Sequence, residues 1–260
     1  PDVQAFIKKM SAQYAIEESV LNSLFSRVEL KPSIISIFDR PPTSRPWYQY
    51  KPSFINPTRI KNGVAFWKKY PDLLAEAHKR YGVPEEIIVA ILGAETNYGQ
   101  NMGTFRTIDV LSTVAFDYPR RAEYFKGELE QFILLAQEEG RNPLTLKSSF
   151  AGAMGWPQFM PSSFRKYGID FDADGKRDVW TDPADVIGSV AYYFNQFGWQ
   201  DGQATALRAT VTGDKYQALL ADKFNMKYTI AQLREMGIVP ATYVPDDTKA
   251  LLFPLETEAG

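Results

Sequence analysis

Apolar residues recur at helical spacing in block after block of this chain, and prolines and glycines mark where each block starts and stops. Val3, Phe6, Ile7 and Met10 share one helix face, as do Val20, Leu21, Leu24, Phe25 and Val28. Residues 39 to 57 carry Pro41, Pro42, Pro46, Pro52 and Pro57 with no helical period, which predicts an extended, semi-rigid connector. Thr58 can cap the helix that follows, Pro71 kinks or restarts it, and Gly82 stops it. Pro84 suits the first position of the next helix, with Glu85 and Glu86 at its positive end and Gly99 as its stop. A long helix from Pro119 to Gly140 buries Phe125, Leu129, Phe132, Ile133 and Ala136. Another has Asp182 as cap and Pro183 at its first position; it buries Val186, Val190, Phe194 and Phe197, and Gly198 ends it. After Gly202 the pattern weakens to a short helix, TIAQLREMGI, and a candidate strand, KALLFPLE. The expected fold is therefore mainly α. Residues 1–81 form an N-terminal helical region with its connector, 82–200 a compact helical core, and 201–260 a mixed segment packing on the N-terminal region.

Composition limits the chemistry. A hydrophobic fraction of 45% supplies a real core and excludes disorder as the main state. The longest strongly apolar run, Ile87 to Ala94, is far short of the ~20 residues a membrane span needs. No signal peptide opens at Pro1, so a mature, cytosolic or trimmed chain is expected. The chain has no cysteine, which removes thiol nucleophiles, disulfides and thiolate zinc sites. It has one histidine, His78, and Ser189 sits in IGSVA rather than in a Gly-x-Ser-x-Gly turn, so a Ser-His-Asp triad has little support. His78 fits better near a helix C-terminus. Acid–base work then falls to carboxylates. Charge is uneven: residues 1–39 carry −1, residues 40–80 carry +7 and residues 81–260 carry −8. With Trp47, Tyr48, Tyr50 and Trp67, the basic stretch could hold nucleic acid or an anionic glycan; the plainer reading is a solvated helix face.

Two segments stand out. Glu95 follows Leu92, Ile91 and Ile88 by three, four and seven residues, so it shares their face. A carboxyl there is paired, protonated or functional, and burial with the nearby helix C-terminus would raise its pKa toward that of a general acid. The alternative is a boundary glutamate reaching solvent or an arginine. Residues 148–164, SSFAGAMGWPQFMPSSF, combine small residues that permit close approach with Trp156 and Phe159, whose faces could meet sugar rings, and Gln158, both donor and acceptor. A tight interhelix connection with aromatic plugs fits them equally well.

Glu95-Thr96-Asn97-Tyr98-Gly99 followed by GAMGWPQFMPSS at 152–163 resembles the MltB family of bacterial lytic transglycosylases, peptidoglycan-cleaving enzymes with a lysozyme-like core. The resemblance covers most of the chain, and the long ungapped match is highly specific. It implies Glu95 as the sole catalytic acid–base. It implies glycan contacts for Ser149, Gln158, Phe159 and Tyr192, and further binding positions at Tyr50, Arg120 and Arg121, the arginines facing stem-peptide carboxylates. Tyr192 also projects from the helix face of Gly188 and Ser189, away from the Val186 stripe. Family members usually continue past the last strand into an aromatic stretch; here the chain stops at LETEAG. The implied partners are peptidoglycan strands and cell-wall synthesis enzymes, with no nucleic acid. The implied compartment is the periplasm, and a lipid anchor upstream of Pro1 would add an outer-membrane tie. Rival readings are a muramidase that delivers water and a non-catalytic glycan-binding scaffold.

The chemistry calls for no cofactor, but one cation site is expected. Asp170, Asp172, Asp174 and Gly175 match the opening of an EF-hand loop, with the Lys176 carbonyl at the seventh position. Thr181 stands where a bidentate glutamate belongs, and the resemblance implies Asp185 as its substitute for Ca2+. An Asp-rich turn capping the next helix is the alternative.

Overall fold

A computed structural model describes residues 2–39, 45–222 and 224–258; Pro41 and Pro42 of the connector lie outside them. The fold is mainly α. The helices are α1 (Asp2–Tyr14), α2 (Glu18–Phe25), α3 (Pro32–Asp39), α4 (Trp47–Tyr50), α5 (Pro57–Lys69), α6 (Pro71–Tyr81) and α7 (Glu85–Thr96). They continue as α8 (Thr107–Asp117), α9 (Ala122–Glu138), α10 (Pro161–Tyr167), α11 (Pro183–Gln196), α12 (Gln217–Leu220) and α13 (Ile230–Glu235). Contacts divide the chain into two compact units, Pro1–Ser44 with Ser53–Asp201, and Arg45–Pro52 with Gly202–Gly260.

The first unit is built on α8 and α9, which pack on each other, with α10 against α9, α3 against α8, α5 against α7 and α11 against α6. Every residue of α8 from Thr107 to Ala115 is buried. Two buried carboxylates tie the N-terminal segments to this centre. Asp109 accepts 2.8 Å bonds from the Arg106 guanidinium and a 3.0 Å bond from the Glu29 N–H. Glu130 accepts from Lys9 at 3.0 Å and from the Tyr14 hydroxyl. Such charges are tolerable inside because each is paired and hydrogen-bonded. A third buried carboxylate, Glu128 of α9, accepts the Ser162 N–H (2.9 Å) and hydroxyl (2.6 Å), capping the start of α10 from outside that helix.

Several boundaries differ from expectation. The connector is not extended throughout: Pro46 accepts from the Gln49 and Tyr50 amides, opening α4, and a 3-10 turn follows at Lys51–Ser53. Asn56, not Thr58, caps α5; its side chain accepts the Arg59 N–H at 2.9 Å, and Pro57 takes the first helical position. Pro84 is the residue before α7, not its first. Pro119 opens a 3-10 turn, Pro119–Arg121, ahead of α9. Phe197 is 63% exposed, because α11 ends at Gln196 before its stripe reaches that residue.

In the second unit Leu219, Ile230, Leu233 and Ile238 form a small core. Strand β3 (Ala209–Val211) pairs antiparallel with β5 (Ile238–Pro240), Thr210 opposite Val239. Strands β4 (Tyr228–Thr229) and β6 (Lys249–Ala250) pair likewise, so only two residues of KALLFPLE are strand. Thr229 and Gln232 cap α13 reciprocally, and the Trp47 N–H donates to Glu256 at 3.2 Å, joining α4 to the C-terminal segment.

Candidate active site

Helix α7 exists because Ile88, Val89, Leu92 and Gly93 bury one side of it. On the face that carries Glu95, Ile88 and Leu92 are fully buried, Ile91 is half-buried and Glu95 is exposed. The face opens to solvent as the helix ends. Glu95 is thus at the mouth of an apolar wall rather than within it, a correction to the expected buried position. Enough protein still surrounds the carboxyl to strip part of its water, and this partial burial raises its pKa above the ordinary carboxylate value. Among the described residues it has no hydrogen bond or ion pair, so no arginine holds it ionised. A protonation-competent, unpaired carboxyl in an opening is equipped to donate a proton and take it back.

The helix stops in an unusual way. The Tyr98 N–H donates to Leu92 O (3.0 Å) and the Asn97 N–H to Gly93 O (3.2 Å), closing the end with left-handed residues. Glycine normally supplies that conformation, yet Asn97 has φ 50° and Tyr98 φ 61°. Asparagine tolerates it; a tyrosine pays of order 1 kcal/mol or more. The Tyr98 ring stacks on buried Phe66 at 5.2 Å. Thr96 then links the helix end to the glycine-rich loop: its hydroxyl accepts from the Gly99 N–H (3.0 Å) and donates to Trp156 O (2.9 Å).

The loop itself is a tight hairpin. Met154 and Phe159 exchange N–H···O bonds at 2.8 and 3.0 Å, with Gly155 and Gln158 at positive φ between them. The Ser149 hydroxyl accepts the Ala151 and Ala153 amides at 3.2 Å and keeps its own proton to donate. The Gln158 Nε2 donates to Gly155 O (3.0 Å) and Met102 O (3.4 Å), which leaves its Oε1 to accept. Phe159 does not offer a ring face: it is 7% exposed and packs on Tyr193 at 5.4 Å. Trp156 lies over Gly99 and donates its indole N–H to Trp180 O at 2.8 Å. Phe159 is packed into the core, and Trp156 is half-buried with its indole N–H held.

Tyr192 is half-buried on α11, its ring 5.5 Å from Tyr81. Gly188 and Ser189, on the side of α11 that carries Tyr192, are as buried as Val186, so α11 is covered on both sides there. Gly188 abuts the Phe171 ring, and the Ser189 hydroxyl accepts the Ile169 N–H at 3.0 Å. Arg120 and Arg121 are exposed, Arg120 at 4.0 Å from Asp39 and Arg121 over the Tyr124 and Phe125 rings. Tyr50 belongs to the second unit, its ring 6.5 Å from that of Trp47. His78, in the last turn of α6, meets Asp201 at 3.2 Å.

Asp170, Asp172 and Asp174 bring carboxylate oxygens within 4.8 Å of one another. Asp185 is not gathered with them in that cluster, and the Lys176 N–H donates to Asp174 at 2.9 Å. Asp185 is fully buried and gives its two oxygens to the Phe171 and Asp178 amides at 2.7 Å each, and burial pushes its pKa to about 6. The three clustered groups are hard oxygen donors on a turn whose amides already bond them, Asp174 N–H and Gly175 N–H to Asp170 among others. That donor set fits Ca2+ and does not fit a soft metal.

The sequence profile of the family described as "Transglycosylase SLT domain" matches residues 1–259. The membrane-bound lytic murein transglycosylase B of Escherichia coli K12 is 42% identical over 270 residues, covering 100% of this chain and 73% of that protein. Soluble lytic transglycosylase SltB1 from Pseudomonas aeruginosa superposes with TM-score 0.94 at 42% identity, over 100% of this chain and 87% of that one. The E. coli lytic transglycosylase Slt35, solved in complex with calcium, gives 0.89 at 42% identity over 100% and 82%. SltB3 from P. aeruginosa, in complex with NAG-anhNAM-pentapeptide, gives 0.84 at 29% identity over 97% and 68%.

Proposed function

The chain belongs to the transglycosylase SLT domain family, and on that footing we propose that Glu95 is its single acid–base. The protein is a lytic murein transglycosylase acting on peptidoglycan. The observation that carries the assignment to Glu95 is a partly desolvated carboxyl, without a cationic partner among the described residues, at the open end of α7. The protonated carboxyl donates to the oxygen linking N-acetylmuramic acid to N-acetylglucosamine, and the C1–O bond breaks. The muramoyl N-acetyl oxygen bonds to C1 in its place, standing in for a second carboxylate. The C6 hydroxyl then attacks C1, displaces that oxygen and returns its proton to Glu95, leaving a 1,6-anhydro end. Ser149 as donor and Gln158 as acceptor supply sugar contacts, with Tyr192 at a further position. Phe159 contributes by shaping the hairpin. Arg120 and Arg121 offer exposed guanidinium groups to stem-peptide carboxylates. Mass analysis of sacculus digests tests the reaction: muropeptides lighter by one water than the hydrolytic products are expected, and hydrated reducing ends alone would establish a muramidase.

Slt35 was solved with calcium, and Asp170, Asp172 and Asp174 are the residues that would hold that ion here as a tie for the loop before α11. It supplies no chemistry to the cleavage. Calorimetry is expected to show weak Ca2+ binding, on the order of 10⁻⁴ to 10⁻³ M, abolished by Asp172→Ala. No heat at millimolar Ca2+ would remove the site. No helix among the described residues is long and apolar enough to cross a membrane, and the E. coli relative is membrane-bound. A murein substrate puts the working site in the periplasm.

A further inference from the structure

Helix α5 turns one face toward the residues that follow Glu95. Asn62 donates to the Asn97 side chain at 3.2 Å, and Phe66 stacks on Tyr98. Between these two contacts stands Gly63, and opposite it on α7 stands Gly93. The Tyr98 hydroxyl lies in the notch the two glycines leave: a Cβ built on either would come within 2.4 Å of that oxygen. Both glycines are in helix interiors at ordinary helical φ, where alanine would serve the helix better. The missing methyls are explained by the tyrosine.

Gly93 sits about 200° around α7 from Glu95, so the notch is on the opposite side from the carboxyl. We infer that Tyr98 is a positioning residue for the cleavage reaction, a stop set behind α7 that fixes where the helix ends and where Glu95 points. It does not touch substrate. Its ring, wedged between Gly63 and Gly93 and stacked on Phe66, keeps Tyr98 in a left-handed conformation that a tyrosine does not favour by itself, next to an Asn97 that tolerates it. From the other side Thr96 and Trp156 hold the same turn to the hairpin. Glu95 is two residues from the first left-handed residue, so a shift of the turn moves the proton donor directly.

The inference rests on Glu95 as the acid, and the test separates the two ideas. Gly63→Ala improves helix propensity while driving a methyl into the Tyr98 oxygen. On solubilised murein strands its kcat is expected to fall about 10- to 100-fold, the scale of misplacing a reacting group by an ångström, with KM within about twofold. Tyr98→Phe removes the oxygen that clashes and is expected to lose less than about threefold alone. Adding Tyr98→Phe to Gly63→Ala is expected to restore most of kcat. Native kcat in Gly63→Ala, or a loss that Tyr98→Phe leaves unrescued, overturns the inference. Should Gly63→Ala not fold, Tyr98→Ala gives the same reading without a clash: a kcat loss at unchanged KM supports the stop, and native kcat overturns it. Glu95→Gln run in parallel reports on the acid alone, since full activity there sinks that assignment whatever Tyr98 does.

Discussion

Glu95→Gln is expected to retain the fold and the affinity for glycan while losing at least about 100-fold in kcat, the usual scale of general acid catalysis and about 2.7 kcal/mol of barrier. Glutamine fills the same volume and still donates a hydrogen bond to the glycosidic oxygen, but it cannot transfer a proton. Exposure of the side chain at the end of α7 makes the exchange mild for stability. The pH profile gives a second handle. Donation requires the protonated form, which is fully present below the folded pKa and lost as pH rises through it. Because partial burial raises that pKa in the free enzyme, the alkaline limb of kcat/KM should lie above the ordinary carboxylate range. Turnover of sacculi by Glu95→Gln at the native rate would remove Glu95 from the reaction. An alkaline limb at the ordinary carboxylate value would remove the argument from burial.

The second large effect is expected at Gly103, where β1 (Phe105–Arg106) approaches its partner β2 (Lys147–Ser148). Its φ is +92°, and a Cβ would lie 2.0 Å from Ser148 O and 2.4 Å from Ser149 N. Those are backbone atoms of the hairpin stem, so nothing flexible can yield. Gly103→Ala should cost roughly 3 kcal/mol or more in urea unfolding, combining left-handed strain with a forced backbone shift. It should also disturb Ser149. Gly127→Ala is the matched control: it is exposed within α9, a Cβ there meets nothing within 4 Å, and it should stabilise by up to about 1 kcal/mol. Equal stabilities for the two variants would refute the close approach.

The sequence announced helices wherever one side of them meets water. The α9 stripe from Phe125 to Ala136 and the Asp182–Pro183 start of α11 were legible for that reason. It hid α8, because TIDVLSTVA, Thr107 to Ala115, is buried all round and is rich in β-branched residues, so it has no period to read. It hid α10 as well, seven residues whose first turn is capped by Glu128 from another helix. Glu95 was legible as a carboxyl on an apolar face, but angular position says nothing about where along the axis the opposing wall stops. The place of the Phe159 ring was open in the sequence for a related reason. Composition marks a hairpin as permissive to ligands without telling which side of it each ring takes. Tyr98, Gly63 and Gly93 gave no local signal, since the notch exists only when α5 meets α7.

The ties that Asp109 and Glu130 make carry a consequence for the order of assembly. The Glu29–Asp109 bond joins residues 80 apart, and the Lys9–Glu130 pair residues 121 apart. Loops of that length must close before either carboxylate is rewarded for leaving water. The helices at the start of the chain therefore wait for acceptors that are made and packed long after them. In refolding, amide protection in α1 should arrive no earlier than in α8 and α9, so the first residues of the chain are among the last to be locked.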